Sequence, residues 1–191
     1  MSLNLVNKIV PFAEGGLMME HAFFLWSVLF LLSLAIRTVY EHLKNTRGLN
    51  TESRPLFAFI FTSMCLLWIS WFNLCPLDPV HVELPGAVRW TGFALFIAGM
   101  ILALGAVAQL RGVENIDHLV TTGIFKKLRH PMYVGFLSWI LGWSIFHGAA
   151  AGLAIGTLGI VSIVWWRRLE EARLAVQFGD AYQLYRRSSW F

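Results

Sequence analysis

From Pro131 to Trp166 the sequence runs 36 residues without an Asp, Glu, Lys or Arg. As one helix that run would be about 54 Å long, whereas a bilayer core is about 30 Å thick and takes roughly 20 apolar residues to cross. The run must fold back on itself, and His147-Gly148 at its middle supplies a turn. A helical hairpin of two short spans follows from that. Three further uncharged stretches lie upstream: Glu20 to Arg37, Arg54 to Asp78 and Arg89 to Arg111. Pro55 opens the second, where a first helical turn tolerates it. The expectation is an all-α, polytopic integral membrane protein with five transmembrane helices, a C-terminal helical hairpin and a cytoplasmic C-terminal helix.

Composition agrees with that expectation. The chain has 191 residues, 57% apolar and 14% charged, against about 45–50% and about 25% in soluble domains. Eleven acids and fifteen Lys/Arg cannot skin a soluble domain of this size. Orientation follows from the basic residues alone. Arg37, Lys44, Arg47, Arg54, Arg111, Lys126, Lys127, Arg129, Arg167, Arg168, Arg173, Arg186 and Arg187 fall on one side; Lys8 and Arg89 fall on the other. Thirteen against two puts the N-terminus outside and the C-terminus in the cytoplasm. Pro11, Glu14 and Gly15-Gly16 break any signal-peptide core and no small-residue cleavage site follows, so the first apolar run is expected to be retained. Two units are expected: residues 1–86 with the first two spans, and a core over 87–191.

The same residues exclude several functions. The basic residues flank apolar runs and form no stripe with exposed aromatics, so no nucleic-acid partner is expected. Cys65 and Cys75 have no zinc spacing, the six histidines are scattered, and no metal site is expected. Neither a dinucleotide-binding glycine motif nor a P-loop is present. Glycines recur at helical spacing at 92 and 99, 135 and 142, and 152 and 156, a pattern for close helix packing. Glu20, His21, His42, Asp78, His81 and Glu83 read as solvated span ends.

Chemistry is left to two polar pieces, 109–130 and 167–191, both cytoplasmic by the charge distribution. In the first, Arg129-His130-Pro131 stands where a span begins, with Pro131 as first helical residue. Such a helix N-terminus suits a carboxylate or phosphate. Tyr133, one turn in, can point to the same place. The plainer alternative leaves Arg129 and His130 among lipid headgroups. In the second piece Glu170, Leu174, Phe178, Ala181, Tyr182 and Tyr185 share one helical side. Glu170 is therefore expected to turn inward, as a site residue or as the partner of a nearby cation. Glu171 should pair with Arg167 on the preceding turn, and Gly179-Asp180 should interrupt the helix.

Three segments taken together resemble a known family. They are Leu119-Val120-Thr121-Thr122-Gly123-Ile124-Phe125; Arg129-His130-Pro131-Met132-Tyr133-Val134-Gly135; and Glu170-Glu171 followed by Phe178-Gly179, Tyr182 and Tyr185. In this order and spacing they resemble the isoprenylcysteine carboxyl methyltransferases, which are related to the membrane phospholipid N-methyltransferases. The resemblance spans roughly residues 87–187. It implies an enzyme using S-adenosyl-L-methionine, releasing S-adenosyl-L-homocysteine, with its pocket at the cytoplasmic face. By motif position Gln109, His118, Leu119, Val120, Phe125, His130, Pro131, Tyr133, Gly135 and Glu170 would surround the cofactor. Phe125 stands where the family often has Tyr. Eukaryotic members carry an Arg four residues before the cofactor acid, to receive the substrate carboxylate; here that residue is Trp166. Arg167, about 100° further round the helix, becomes the candidate for that role, with Tyr133 the second catalytic candidate.

The implied reaction is in-line methyl transfer to a carboxylate, which needs no general base and leaves the protein to align the reactants and exclude water. A lipophilic, prenylated-type acceptor would enter between spans from the bilayer. Two readings stand beside it: a phospholipid or amine N-methyltransferase, and a non-catalytic membrane protein retaining the motif.

Overall fold

The computed structural model describes residues 3–47, 53–110 and 118–191, with side chains from Met18 onward. Arg111 and the side chains of Lys8 and of residues 11–16 lie outside that description. The described residues form five α-helices: α1 (Leu3–Arg47), α2 (Arg54–Leu74), α3 (Gly86–Leu110), α4 (Pro131–His147) and α5 (Ala150–Ser188). Pro55 and Pro131 both occupy first helical turns, as their fixed φ favours. Gly148 ends α4 in the left-handed region at φ 64°, so the long uncharged run folds back at the expected place.

Among the described residues, four helices are long and apolar enough to cross a membrane: Met18–Arg47, Arg54–Leu77 (α2 with the short 3-10 turn after it), Gly86–Leu110 and Ala150–Ser188. With 17 residues, α4 rises only about 26 Å and falls short of that group. The expected count of five is thus four membrane-length helices and one shorter one. Their outward faces carry exposed Phe24, Leu32, Phe59, Trp90, Ile101 and Val161. A water-soluble protein would not expose such residues so densely; against lipid tails they cost nothing.

Glycines set the tightest packing. An added Cβ at Gly142 would lie 2.6 Å from the Gly92 carbonyl, and one at Gly135 would lie 2.7 Å from the Gly99 carbonyl. The two glycine pairs therefore face each other across an antiparallel α3–α4 contact. Around this contact Trp68, Phe72, Phe96, Trp139 and Trp143 interlock, with Trp68–Trp139 edge to face at 4.8 Å and Phe96–Trp143 at 4.9 Å. Gly156 of α5 lies under Trp71, which is fully buried beside Phe30 of α1.

Asp78 departs from its expected solvated position and is 2% exposed. Its Oδ1 accepts the Val80 N–H at 2.7 Å, and its Oδ2 accepts the N–H of Gly152 in the first turn of α5. No side chain of α5 caps that terminus, so the buried carboxylate satisfies one of its unpaired donors and meets the positive dipole end. Glu20, His21, His42, His81 and Glu83 are exposed, as expected.

Helix α5 passes through Arg167 without a break and departs from helical geometry only at Gly179 (φ 51°, ψ −126°). Its uncharged part ends at Trp166, about 26 Å from Ala150. The remaining turns, with their Arg and Glu residues, project beyond an apolar core. Helix α4, reversed across the Gly148 turn, covers nearly the same distance. That length match brings Arg129-His130-Pro131 level with Glu170-Glu171.

Candidate active site

Glu170 and Glu171, neighbours on α5, divide the segment before α4 between them. The His130 Nε2 lies 3.4 Å from Glu171 and its Nδ1 3.7 Å from Glu170. Arg129 reaches Glu171 at 3.3 Å, and Arg167 reaches it at 3.5 Å from the preceding turn, as expected. The Glu171 carboxyl is consequently held down from its ordinary 4.5 to about 2: hydrogen bonding from His130 acts most strongly, the charges of Arg167, His130 and Arg129 add to it, and burial opposes. Glu171 is therefore the anionic hub of the segment. Glu170, less buried, looks into a cleft and faces the Tyr133 hydroxyl.

The end of the chain locks this arrangement. Trp190 N–H donates to the Lys127 carbonyl at 2.9 Å, and the N–H groups of Arg129 and His130 donate to the Trp190 and Phe191 carbonyls at 3.1 Å. Arg129 also donates to the Ser189 carbonyl at 2.6 Å, and the Arg167 guanidinium covers the Phe191 ring at 4.6 Å. Tyr182 and Tyr185, buried on the α5 face expected to turn inward, hold the other side; the Tyr185 hydroxyl donates to the Phe125 carbonyl. Ala181, expected on that face, is exposed.

The cleft encloses about 830 Å3 of space open to solvent. Phe125, His130, Pro131, Tyr133 and Glu170 line it, as the sequence suggested. Other expected residues are placed differently. The Gln109 amide is engaged at both ends, accepting from Ile124 N–H at 3.0 Å and donating to the Thr122 carbonyl at 2.7 Å. It fixes the turn at Gly123, where φ is +57° and a Cβ would strike that amide. Gly135 faces α3, Arg167 turns to Glu171 and Phe191, and neither lines the cleft. His118 is exposed and Leu119 and Val120 are half-buried outside the lining.

Sequence reasoning missed the opposite wall, which α1 supplies: Arg37, Glu41, Lys44 and Asn45. Arg37 pairs with Glu41 on the next turn, and the Glu41 Oε2 accepts the Asn45 amide at 3.1 Å. Spacing of four residues along one helix face was the available signal. Arg129 and Arg173 complete the charged lining, so Arg37, Lys44, Arg129 and Arg173 outnumber Glu41 and Glu170. The Arg173 Nε is buried without a hydrogen-bond partner among the described residues.

A second space, apolar and of about 840 Å3, opens between α2 and α3 with α4 at its back. Phe57, Phe61 and Leu104 at its rim are exposed on the lipid-facing surface. Arg37, Met64, Met132 and Phe136 line both spaces, which therefore meet.

Comparison with known proteins fits this geometry. Residues 87–181 match the phospholipid methyltransferase family. A protein-S-isoprenylcysteine O-methyltransferase of Schizosaccharomyces pombe is 42% identical over 81 residues, 39% of this chain and 32% of that protein. One of Dictyostelium discoideum is 25% identical over 150 residues, 69% of this chain and 57% of that protein. The chain thus spans between a third and just over half of the length of these relatives. No solved structure gives a significant match. The chain is homologous to the isoprenylcysteine O-methyltransferases, and residues 87–181 are similar to the phospholipid methyltransferases, a likeness that implies S-adenosylmethionine as methyl donor.

Proposed function

We propose that the protein is an integral membrane methyltransferase that esterifies the carboxylate of a lipidated acceptor, in the manner of isoprenylcysteine carboxyl O-methyltransferases. The observation that carries this reading is the joining of a charged cleft to an apolar groove open to lipid. A water-soluble cofactor and a membrane-dissolved acceptor need such a pair of entrances.

The cleft's donor set suits the cofactor. Glu170 can take the amino group or the ribose, and the unpartnered Arg173 Nε can take the carboxylate. Phe125, His130, Pro131 and Tyr133 supply the aromatic and apolar wall. By motif position His118, Leu119 and Val120 are assigned to the cofactor as well, while Gln109 and Gly135 act by holding the loop and α4 in register. When bound, the cofactor supplies an electrophilic methyl on a sulfonium. An acceptor carboxylate is ionised at neutral pH, so the chain's residues have no proton to remove; they align the two partners and keep water out. Tyr133 lines the cofactor cleft next to Met132, one of the residues at the junction with the groove, and Arg167 positions Glu171.

The topology belongs to the same proposal. Helix α4, paired with α3 along its length, makes a fifth crossing; the N-terminus lies outside and the C-terminus in the cytoplasm. Residues 87–191 form the methyltransferase core and 1–86 flank it. A second reading, N-methylation of a phospholipid or amine, draws on the description of the matching family.

Binding of S-adenosylmethionine and S-adenosylhomocysteine to the purified protein in detergent tests the cofactor site. Micromolar affinity is expected, falling at least about tenfold in Glu170→Gln, the scale of a lost charged hydrogen bond. Absence of binding by a folded protein would refute the enzymatic reading. Membrane extracts given a labelled methyl donor then separate the acceptors: esters release the label in base, whereas methylamines retain it.

A further inference from the structure

At the end of the bundle opposite the cleft, the loop before α3 closes a separate charged pocket. The backbone there is pinned. Val82 N–H donates to the Gly148 carbonyl at 2.8 Å, and Ala150 N–H donates to the Val80 carbonyl at 3.1 Å. His81, Glu83, Arg89 and His147 line a pocket of about 800 Å3 open to solvent. His147 ends α4, whose first turn borders the cleft, so the length of that helix, about 26 Å, separates the two.

Two opposite charges share this pocket without neutralising each other. Glu83 and Arg89 form no ion pair among the described residues. The Arg89 Nε donates to the Phe146 carbonyl at 2.9 Å, and the guanidinium lies over the Phe146 ring at 5.7 Å. Those contacts hold the side chain and leave its terminal nitrogens without a hydrogen-bond partner among the described residues. The His147 Nε2 is buried and lacks one as well. Val80, Val82, Val88 and Trp90, neighbours of the lining in sequence, are exposed. An exposed tryptophan and an arginine where helices begin and end belong at the headgroup layer of a bilayer.

We propose that this pocket binds the headgroup of a zwitterionic phospholipid, with the phosphate on Arg89 and the ammonium beside Glu83. A guanidinium fixed by its Nε and its face presents its remaining donors to phosphate oxygens. Glu83 supplies the other half of the complement: it attracts the ammonium and repels a headgroup whose only charge is negative. The buried His147 Nε2 gains a partner in a headgroup oxygen or in a water held by one. Outside the pocket the exposed valines and Trp90 continue along the lipid's chains. The lipid held here is not a methyl acceptor, because the cleft lies at the other end of α4. It ties the loop before α3 to the turn between α4 and α5, and the proposal stands apart from the enzymatic reading.

Native mass spectrometry of the full chain in detergent tests the site, with phosphatidylcholine and phosphatidylglycerol of the same chains as probes. The unaltered protein should retain one phosphatidylcholine about tenfold more tightly than phosphatidylglycerol. In Glu83→Gln that preference should fall to about one, and in Arg89→Gln both lipids should bind about tenfold more weakly. Added phosphatidylcholine should raise the melting temperature of the unaltered protein but not that of Arg89→Gln. Melting in lipid-free detergent checks folding. Should Arg89→Gln fail that check through loss of its bond to Phe146, Glu83→Gln carries the test, since its carboxylate has no ion-pair partner among the described residues. A preference absent from the unaltered protein, or unchanged in Glu83→Gln, overturns the proposal. Glycerophosphocholine, the same headgroup without chains, should bind far more weakly than the lipid; equal affinity would make this a site for a soluble ligand and overturn the assignment to lipid.

Discussion

Residues 87–181 match a family of known chemistry, while α1 and α2 lie outside that match, yet both line one cleft. The two regions are built in opposite ways. In the matched region α3 and α4 touch at Gly92–Gly142 and Gly99–Gly135, and almost no space is left between them. On the other side α2 and α3 stand apart, leaving a groove of about 840 Å3. Close packing holds α4, and with it Arg129-His130-Pro131 and Tyr133, near Glu170-Glu171, the place the proposed reading gives to the cofactor. On the proposed reading the looser walls would face the acceptor. The contrast suggests that donor binding is set by the matched half, and acceptor choice by α1 and α2.

The largest effect should come from breaking the close-packed side. In Gly142→Val the new Cβ would lie 2.6 Å from both the Gly92 carbonyl and the Phe96 amide nitrogen, backbone atoms that cannot step aside. Overpacking of this kind costs about 1–3 kcal/mol, and a β-branched residue against backbone belongs at the upper end or beyond. A large fall in the detergent melting temperature, with loss of S-adenosylhomocysteine binding, is expected. A variant that melts normally would show that the two helices can part without consequence.

Acid should act next, through Glu171. Its carboxyl is lowered in the folded state to about 2 from 4.5, so the stability it contributes is complete above about pH 5. That stability is lost as pH falls through the window from about 5 to about 2, and it amounts to at most about 3 kcal/mol. Thermal melts across that window should fall more steeply for the unaltered protein than for Glu171→Gln. Equal slopes would place the acid sensitivity elsewhere.

Gly179 should yield a smaller change. Its backbone (φ 51°, ψ −126°) lies where side chains are strained, although nothing stands within 4 Å of an added Cβ. Gly179→Ala should therefore cost about 1–3 kcal/mol by backbone strain alone. The loss should appear in melting, and also in cofactor affinity if the kink aims Tyr185 at the Phe125 carbonyl.

The matched half was also the more legible in sequence. The Gly148 turn, the helix start at Pro131, the paired glycines, the inward Glu170 and the Glu171–Arg167 pair all followed from local rules of spacing and conformation. What escaped was non-local or ambiguous. Asp78 reads as a solvated span end, and only the distant α5 terminus gives it a buried role. The strap at 189–191 holds Arg129 and His130 largely through backbone groups, which no side-chain pattern reports. Arg37 and Lys44 served to orient the chain, because a cation at a span end satisfies the topology rule whether or not it also faces a site. Gln109 has the polarity of a cofactor contact, but its amide is spent on a turn.

Met64 offers the finest test of the contrast, since it lies on α2, outside the matched region, and lines both the cleft and the groove. Met64→Trp places a rigid ring at their junction while Glu170, His130 and Tyr133 keep their identities. If α2 serves the acceptor alone, S-adenosylhomocysteine affinity should hold while kcat/KM for a farnesylated acceptor falls about tenfold, equivalent to about 1.4 kcal/mol. The loss should shrink as the acceptor's chain is shortened, because a short chain need not pass far beyond the ring. A loss independent of chain length would mean that the chain lies elsewhere and the groove serves only lipid. Loss of cofactor affinity would erase the division between the two halves, making α2 part of the donor site.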